Sequence, residues 1–437
     1  MSRAARLRDL TDRERHPPIM NIRRSAVALA AATVVLGAAV PAVAATPSPT
    51  PSVAIPDGLY GTTDPTYDGV WRQSLALLAQ RTTGVTPADR AVAWLAGQQC
   101  ASGAFAAFRA DTAKACDAKL MVDTNSTAAA VQALAALGGH RTATEKAVGW
   151  LKSVQNADGG WGYTPGGASD ANSTSVVAGA LAAAGEKTSE VRKGGKSSYD
   201  ALLKLSITCD IGPDGGAFAY QPDKKGALAA NADATAAGVL GVLGKGFVTT
   251  AGKTSAPPTC DSATAGTPSG LARNGAAHLA AAVLGAGYLK SALPGAEDQP
   301  DYGNTADAVV ALAAQGATEQ AKKPLAWLEQ NSAAWAKQSG PAAYAQLIFA
   351  AHAMGADPRH FGGADLVAQL DATGPTPQAT AKATDQSVGA DADADADADK
   401  KDDSDSGYGV WWIVGVFLVA GIGIGFLISV RGRKRQP

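Results

Sequence analysis

Charge and aromatic side chains are in short supply. Of 437 residues only 18% are Asp, Glu, Lys or Arg and 6% are Phe, Trp or Tyr, and the formal net charge is -1. A nucleic-acid binder needs a clustered basic surface. Here lysine and arginine are scattered apart from a cluster near each end, so no nucleic-acid partner is expected. Cysteine is limited to Cys100, Cys116, Cys209 and Cys260, with no CxxC pair and no ordered His/Cys cluster. No zinc or other metal site is therefore expected. An even cysteine count in an exported chain implies disulfides, with three connectivities open. Neighbour pairing, Cys100–Cys116 and Cys209–Cys260, closes the shortest loops and is the expected arrangement.

What is present begins with the two ends. From Met20, itself a candidate start, the chain reads MNIRRSAVALAAATVVLGAAVPAVAA. Arg23 and Arg24 form a basic region, Ala26 to Val40 an apolar stretch, and Ala42-Val43-Ala44 a small-x-small cleavage site. Residues 1–44 therefore read as a signal peptide. At the far end Val410 to Val430 contains no charge in 21 residues, about 31 Å of helix against a hydrocarbon core of about 30 Å. Basic RGRKR follows, predicting a cytoplasmic tail at 431–437 and an extracellular bulk. Tyr408, Trp411 and Trp412 stand where an outer aromatic belt belongs. No LPxTG-like motif precedes the span, so a single-pass plasma-membrane anchor is expected in place of wall attachment. Gly421 and Gly425 form a GxxxG face.

Two linkers frame the foldable part. The Pro/Ser-rich stretch 45–57 predicts an extended tether. The Asp/Ala-rich stretch 372–409, with DADADADAD at 391–399, predicts a solvated stalk held out by its own repelling charges. Residues 58–371 remain as one large ectodomain.

That domain repeats. DTNSTAAAVQALAALG (123–138), DANSTSVVAGALAAAG (170–185), AANADATAAGVLGVLG (229–244) and DYGNTADAVVALAAQG (301–316) align without gaps, with weaker relatives at 68–84 and 339–355. Capping residues open these segments and glycine closes them. Helices of a second kind, bearing Trp and Lys, are expected to start near Pro87, Thr142, Ser197, Ser269, Thr318 and Asp357. Helices packed on both sides need thin side chains, so the Ala/Gly-rich set should lie inside and the second set outside. The expectation is an all-α fold, an (α/α)6 toroid of six inner and six outer helices, plus one C-terminal transmembrane helix.

Two outer segments share a motif. RAVAWLAGQQCASGAF (90–105) and KAVGWLKSVQNADGGW (146–161) both read basic-Ala-x-x-Trp-Leu-x-x-x-Gln-x-x-x-Gly-x-aromatic, and KKPLAWLEQ (322–330) keeps its first half. The motif resembles the QW repeat of the squalene cyclase and protein prenyltransferase family of α/α toroids. The resemblance implies a structural role for Gln99, Phe105, Gln155 and Trp161, tying an outer helix to the next loop. It does not carry the chemistry. The cyclases' acidic DxDD has no counterpart outside the stalk, and Cys209 with His140, His278, His352 and His360 does not match the zinc ligands of the prenyltransferases. The helical domain of intrinsic factor and transcobalamin is closer in character, being secreted, disulfide-bonded and similar in DANSTSVV and DGGWG. Those proteins bind cobalamin without chemistry, beside a β-rich domain. The resemblance implies extracellular capture of a small molecule, with cobalamin as a candidate ligand and a separate transporter or β-rich protein as partner.

Such a site belongs where the inner helices begin, because free N–H groups and partial positive charge converge there. Asp123, Asn125, Asp170, Asn172, Asn231, Asp233, Asp301 and Asn304 should ring that mouth. The loop aromatics Trp161, Tyr163, Phe218, Tyr220, Tyr288 and Tyr302 should line it. No catalytic residue is expected. Two alternatives remain open: a surface scaffold for protein interaction, and a toroid enzyme of glycoside or terpenoid chemistry. A glycosidase would draw its carboxylate pair from Asp170, Asp301 and Asp307.

Overall fold

A computed structural model describes residues 53–253, 256–292 and 296–379. The expected signal peptide, most of both linkers, the 410–430 span and the basic tail lie outside the described residues. Within them no helix is long and apolar enough to cross a membrane.

The described chain is all-α apart from short two-residue strand pairs. Its helices are α1 (Gly69–Thr82), α2 (Asp89–Gly97), α3 (Thr124–Leu137), α4 (Arg141–Ser153), α5 (Ala171–Ala183), α6 (Ser198–Leu205) and α7 (Ala232–Val242). They continue as α8 (Pro268–Leu284), α9 (Tyr302–Gln315), α10 (Thr318–Asn331), α11 (Ala333–Ser339), α12 (Pro341–Ala353) and α13 (Leu366–Asp371). Helix α1 packs on α3, α3 on α5, α5 on α7, α7 on α9, α9 on α12, and α12 returns to α1. These six are the Ala-rich set, and burial runs around most of each, as in α3 from Thr124 to Leu134 and α12 from Pro341 to Ala353. Helices α2, α4, α6, α8, α10 and α13 each lean on the preceding member of that cycle. They bury one stripe only: Ala147, Val148 and Leu151 in α4, Ala321, Leu325 and Leu328 in α10. Full burial of a leucine such as Leu151 contributes about 1.5–3 kcal/mol.

The repeat is held by a recurring threonine four residues after the helix cap. The Oγ1 of Thr127, Thr174, Thr235 and Thr305 accepts the backbone N–H of Phe105, Trp161, Phe218 and Leu289, at 2.9, 3.0, 2.9 and 3.0 Å. Each of these four helices is thereby pinned to the loop arriving from the outer helix before it. Gln99 and Gln155 make the companion tie. Gln99 Nε2 donates to the carbonyls of Gly103 and of Ala143 on α4, and Gln155 Nε2 to those of Gly159 and Val191. Trp161 is fully buried and its indole N–H donates to the Leu151 carbonyl at 2.7 Å. Gly103 and Gly159 have φ of 95° and 91°, and a Cβ on either would overlap the backbone of Lys146 or Ser197 at the next outer helix. Only glycine fits both demands.

Several elements differ from expectation. The gapless alignment slips at its third member: Asn231, not Ala229, caps α7, and that helix has 11 residues where α3 and α9 have 14. The final outer helix does not begin near Asp357, which caps only a 3-10 turn, Pro358–His360; two glycines in left-handed conformation follow, and α13 starts at Leu366. Helix α11 had no separate expectation. Residues 372–378, assigned by composition to the stalk, continue along the domain. Gly61 N donates to the Thr373 carbonyl at 2.9 Å, the Tyr60 hydroxyl to the Pro375 carbonyl at 2.8 Å, and Gln378 Nε2 to Asp89. The cysteines pair as Cys100–Cys116 and Cys209–Cys260.

Candidate functional site

The six helices of this cycle line a partly open cavity of about 120 Å³. Every one of them reaches it: Trp71 from α1, Gln132 from α3, Asn172 and Ser175 from α5, Asp233 from α7, Asn304 and Asp307 from α9, Gln346 and Phe349 from α12. Trp335 of α11 completes the wall. The connection from α7 to α8 crosses beneath it. Phe247 in that segment meets Trp71 edge-on at 5.4 Å and stacks on Phe349 at 6.4 Å. Gln132 Oε1 accepts the Phe247 N–H at 2.9 Å and so holds this floor to α3. A Cβ on Gly246 would push the Gln132 amide out of this hydrogen bond.

Helix capping explains most of the expected polar residues. Asp123 accepts the Ser126 N–H at 2.6 Å, Asp170 that of Ser173 at 2.6 Å, Asn231 that of Ala234 at 2.8 Å, and Asp301 that of Asn304 at 3.0 Å. None of these four caps lines the cavity. Burial outweighs the capping N–H groups and lifts the Asp123 and Asp170 carboxyls to about 6. Asn125 is buried beside Asp123 and also lies off the wall.

Of the residues expected at the mouth, Asn172, Asp233 and Asn304 reach the cavity. They stand two or three positions past a cap, where the helix turns a side chain toward the axis of the cycle. Asn172 Nδ2 donates to Asp233 Oδ2 at 2.5 Å, which orients the amide and leaves its Oδ1 without a protein partner. Ser175 Oγ and Trp335 Nε1, on two other residues of the wall, are likewise buried without partners. Gln346 Nε2 donates to Asp307 Oδ2 at 3.1 Å. Burial, reinforced by the charges of Asp233 and Asp301, lifts the Asp307 carboxyl to about 8. Burial lifts Asp233 to about 6, against the pull of the Asn172 hydrogen bond. No lysine or arginine offsets either group.

The expected aromatics serve packing. Trp161 and Phe218 are fully buried. The carbonyls of Tyr163 and Tyr220 accept the first N–H groups of α3 and α5, from Thr124 and Ala171. Burial, with Asp123 and Asp170 nearby, pushes both phenols up. Tyr288 and Tyr302 flank Trp327 at 4.6 and 5.0 Å, and Tyr302 stacks on Trp335 at 5.5 Å. That ladder braces the cavity's indole from behind.

Trp71, Gln132, Ser175, Phe247, Trp335, Gln346 and Phe349 were not expected at the site. For Gln132 and Gln346 a signal existed: a lone amide amid small apolar residues of a buried helix calls for a partner or a ligand.

No protein-family model matches the chain, and no curated protein matches it. Among solved structures it is similar to a protein from Actinoplanes, at 16% identity and a TM-score of 0.40, over 64% of this chain and 77% of that one. A likeness at that level assigns neither family nor function.

Proposed function

We propose that residues 58–371 form an (α/α)6 toroid of the terpenoid-cyclase-like kind, exported and held outside the cell by the 410–430 span, and that its central cavity captures a small molecule. The observation that carries this reading is the wall itself. Side chains from all six helices of the cycle converge on one cavity, where Asn172, Ser175, Asp233, Asp307 and Gln346 stand among the aromatic residues Trp71, Phe247, Trp335 and Phe349. A concave site with a few polar groups set among apolar and aromatic walls is the form that small-molecule sites take. The size of the cavity limits the ligand. An apolar cavity of about 150 Å³ holds benzene, so about 120 Å³ here admits a ring-sized group. Cobalamin would enter by one substituent only, with its macrocycle left outside and available to a β-rich partner or transporter.

A second reading has an observation of its own. Asp233 and Asp307 share the cavity with unequal proton affinities, about 6 and about 8. At neutral pH one is a base and the other an acid, the pairing that acid–base catalysis uses. One experiment separates the two. Full-length protein in detergent micelles is incubated with growth-medium extract and, separately, with cobalamin, then examined by native mass spectrometry. Retention of an unaltered small molecule supports capture. Release of a chemically altered product supports catalysis, and an empty protein under both conditions ends the capture reading.

A further inference from the structure

A second cavity lies at the closing ends of the inner helices. It is an open groove of about 430 Å³, lined by the last turns of α1, α3 and α5 and by the segment that crosses over after α7. Its walls are small side chains, among them Ala135, Ala136, Ala182 and Ala183. No carboxylate lines it, and its two charges, Arg81 and Lys245, have one sign. Both residues are exposed, and among the described residues neither is in an ion pair. Arg81 Nε donates to the Ala136 carbonyl at 3.2 Å, which lays the guanidinium against the wall formed by α3.

A cationic groove with slim walls suits a peptide that alternates acidic with small side chains, and this chain carries one. DADADADAD at 391–399, when extended, sets aspartate on one side of its backbone and alanine on the other. Alanine methyls let the peptide settle on the Ala/Gly walls. Its N–H groups meet the last-turn carbonyls that helices leave unpaired, and its carboxylates turn to Arg81 and Lys245. Position agrees with charge. Gln378 N donates to the Thr86 carbonyl at 2.9 Å and Gln378 Nε2 to Asp89 at 2.8 Å, so the chain is tied down in the turn that follows the last turn of α1. From there to Asp391 an extended chain reaches about 45 Å. Exposed ion pairs are individually weak, so a free acidic peptide gains little here, whereas a tethered one starts from a millimolar effective concentration. We propose that residues 391–399 dock in this groove of their own chain, with their aspartates on Arg81 and Lys245. Asp399 to Val410 spans about 40 Å at most, so docking holds this end of the inner helices toward the membrane anchor proposed above.

Zero-length carbodiimide coupling of the full-length protein in detergent micelles tests this, because an amide forms only between a carboxylate and an amine in contact. At low salt, peptide mapping of the monomer should find Lys245 joined to the 391–399 segment at least fivefold more often than the exposed Lys187, Lys225 or Lys253. Half-molar salt, which screens exposed charges, should lower that coupling at least threefold. Arg81→Gln should do the same while leaving Lys245 to report. Ala183→Leu, which fills the groove and keeps both cations, should also lower it, with a thermal midpoint close to the parent's showing that the variant is folded. Coupling spread evenly over the lysines, or indifferent to salt and to both substitutions, overturns the proposal. Lys245 coupled only in dimers assigns the groove to a second copy and overturns it as well. The readout needs nothing in the central cavity, so it stands or falls apart from the capture reading.

Discussion

Thr174 shows how much one hydroxyl holds. It is fully buried, its Oγ1 accepts the Trp161 N–H, and it donates back to the Trp161 carbonyl at 3.2 Å. Thr174→Val keeps the shape and strands that N–H, so stability should fall by about 1–3 kcal/mol, read as an earlier midpoint in urea; an unchanged midpoint would mean the loop is held by other contacts. The carboxyls give a second residue-level expectation. An unfolded aspartate titrates near ~3.9, whereas Asp123, Asp170 and Asp233 are lifted to about 6 and Asp307 to about 8. The folded state therefore keeps these protons longer than the unfolded state, and stability declines as pH rises from the unfolded value through the folded one. Asp307→Asn removes its share of that decline. Thermal unfolding should place this variant above the parent at pH 8.5 and not at pH 4, and parallel pH profiles would contradict the assignment. Caps were readable from sequence because capping is local: Asp123, Asp170 and Asp301 need only the next three residues. The cavity wall was not, since a helix buried on all sides carries no amphipathic stripe to say which side chain faces inward. Asp233 and Asn172 were expected as members of a ring of caps, yet only residues beyond the cap reach the cavity.

Among the elements, α7 packs closely against its neighbours. Gly238 and Gly241 lie within it, and a Cβ at Gly238 would sit 2.7 Å from the Phe218 ring. Helix propensity alone favours alanine over glycine by about 1 kcal/mol. Overpacking a filled core costs about 1–3 kcal/mol, and here the obstacle is a fully buried ring that has nowhere to move. Gly238→Ala should therefore lower the melting temperature, and a rise would show that Phe218 gives way. Glycine ends all four of the strong repeats, so matching from that end looked natural, but α7 is shorter at its start and its cap sits two positions later. That the repeat segments form helices was legible from their caps and small apolar residues. The extra α11 was not, because a seven-residue helix between α10 and α12 closes on Gly340 but opens without a capping side-chain hydrogen bond.

At the scale of the whole molecule, the all-α class and both disulfide pairs were legible in the sequence. The pairs differ in reach, 16 residues for Cys100–Cys116 and 51 for Cys209–Cys260. If a crosslink acts mainly by restricting the unfolded chain, the longer loop is worth about 4 kcal/mol and the shorter about 3. Replacing Cys209 and Cys260 with alanine should thus lower the unfolding midpoint more than replacing Cys100 and Cys116, and the reverse order would show that local contacts govern. What the sequence could not show is which loop meets which helix across the cycle: Phe247 reaches Trp71 and Phe349 only because the chain comes back to α1. That return has a mechanical consequence. The stretch around Tyr60 lies clasped against Thr373 and Pro375, so the polypeptide enters and leaves this body at one spot. It hangs like a bead from a single eyelet, and a pull on both threads bears first on that clasp and leaves the far side of the cycle unloaded.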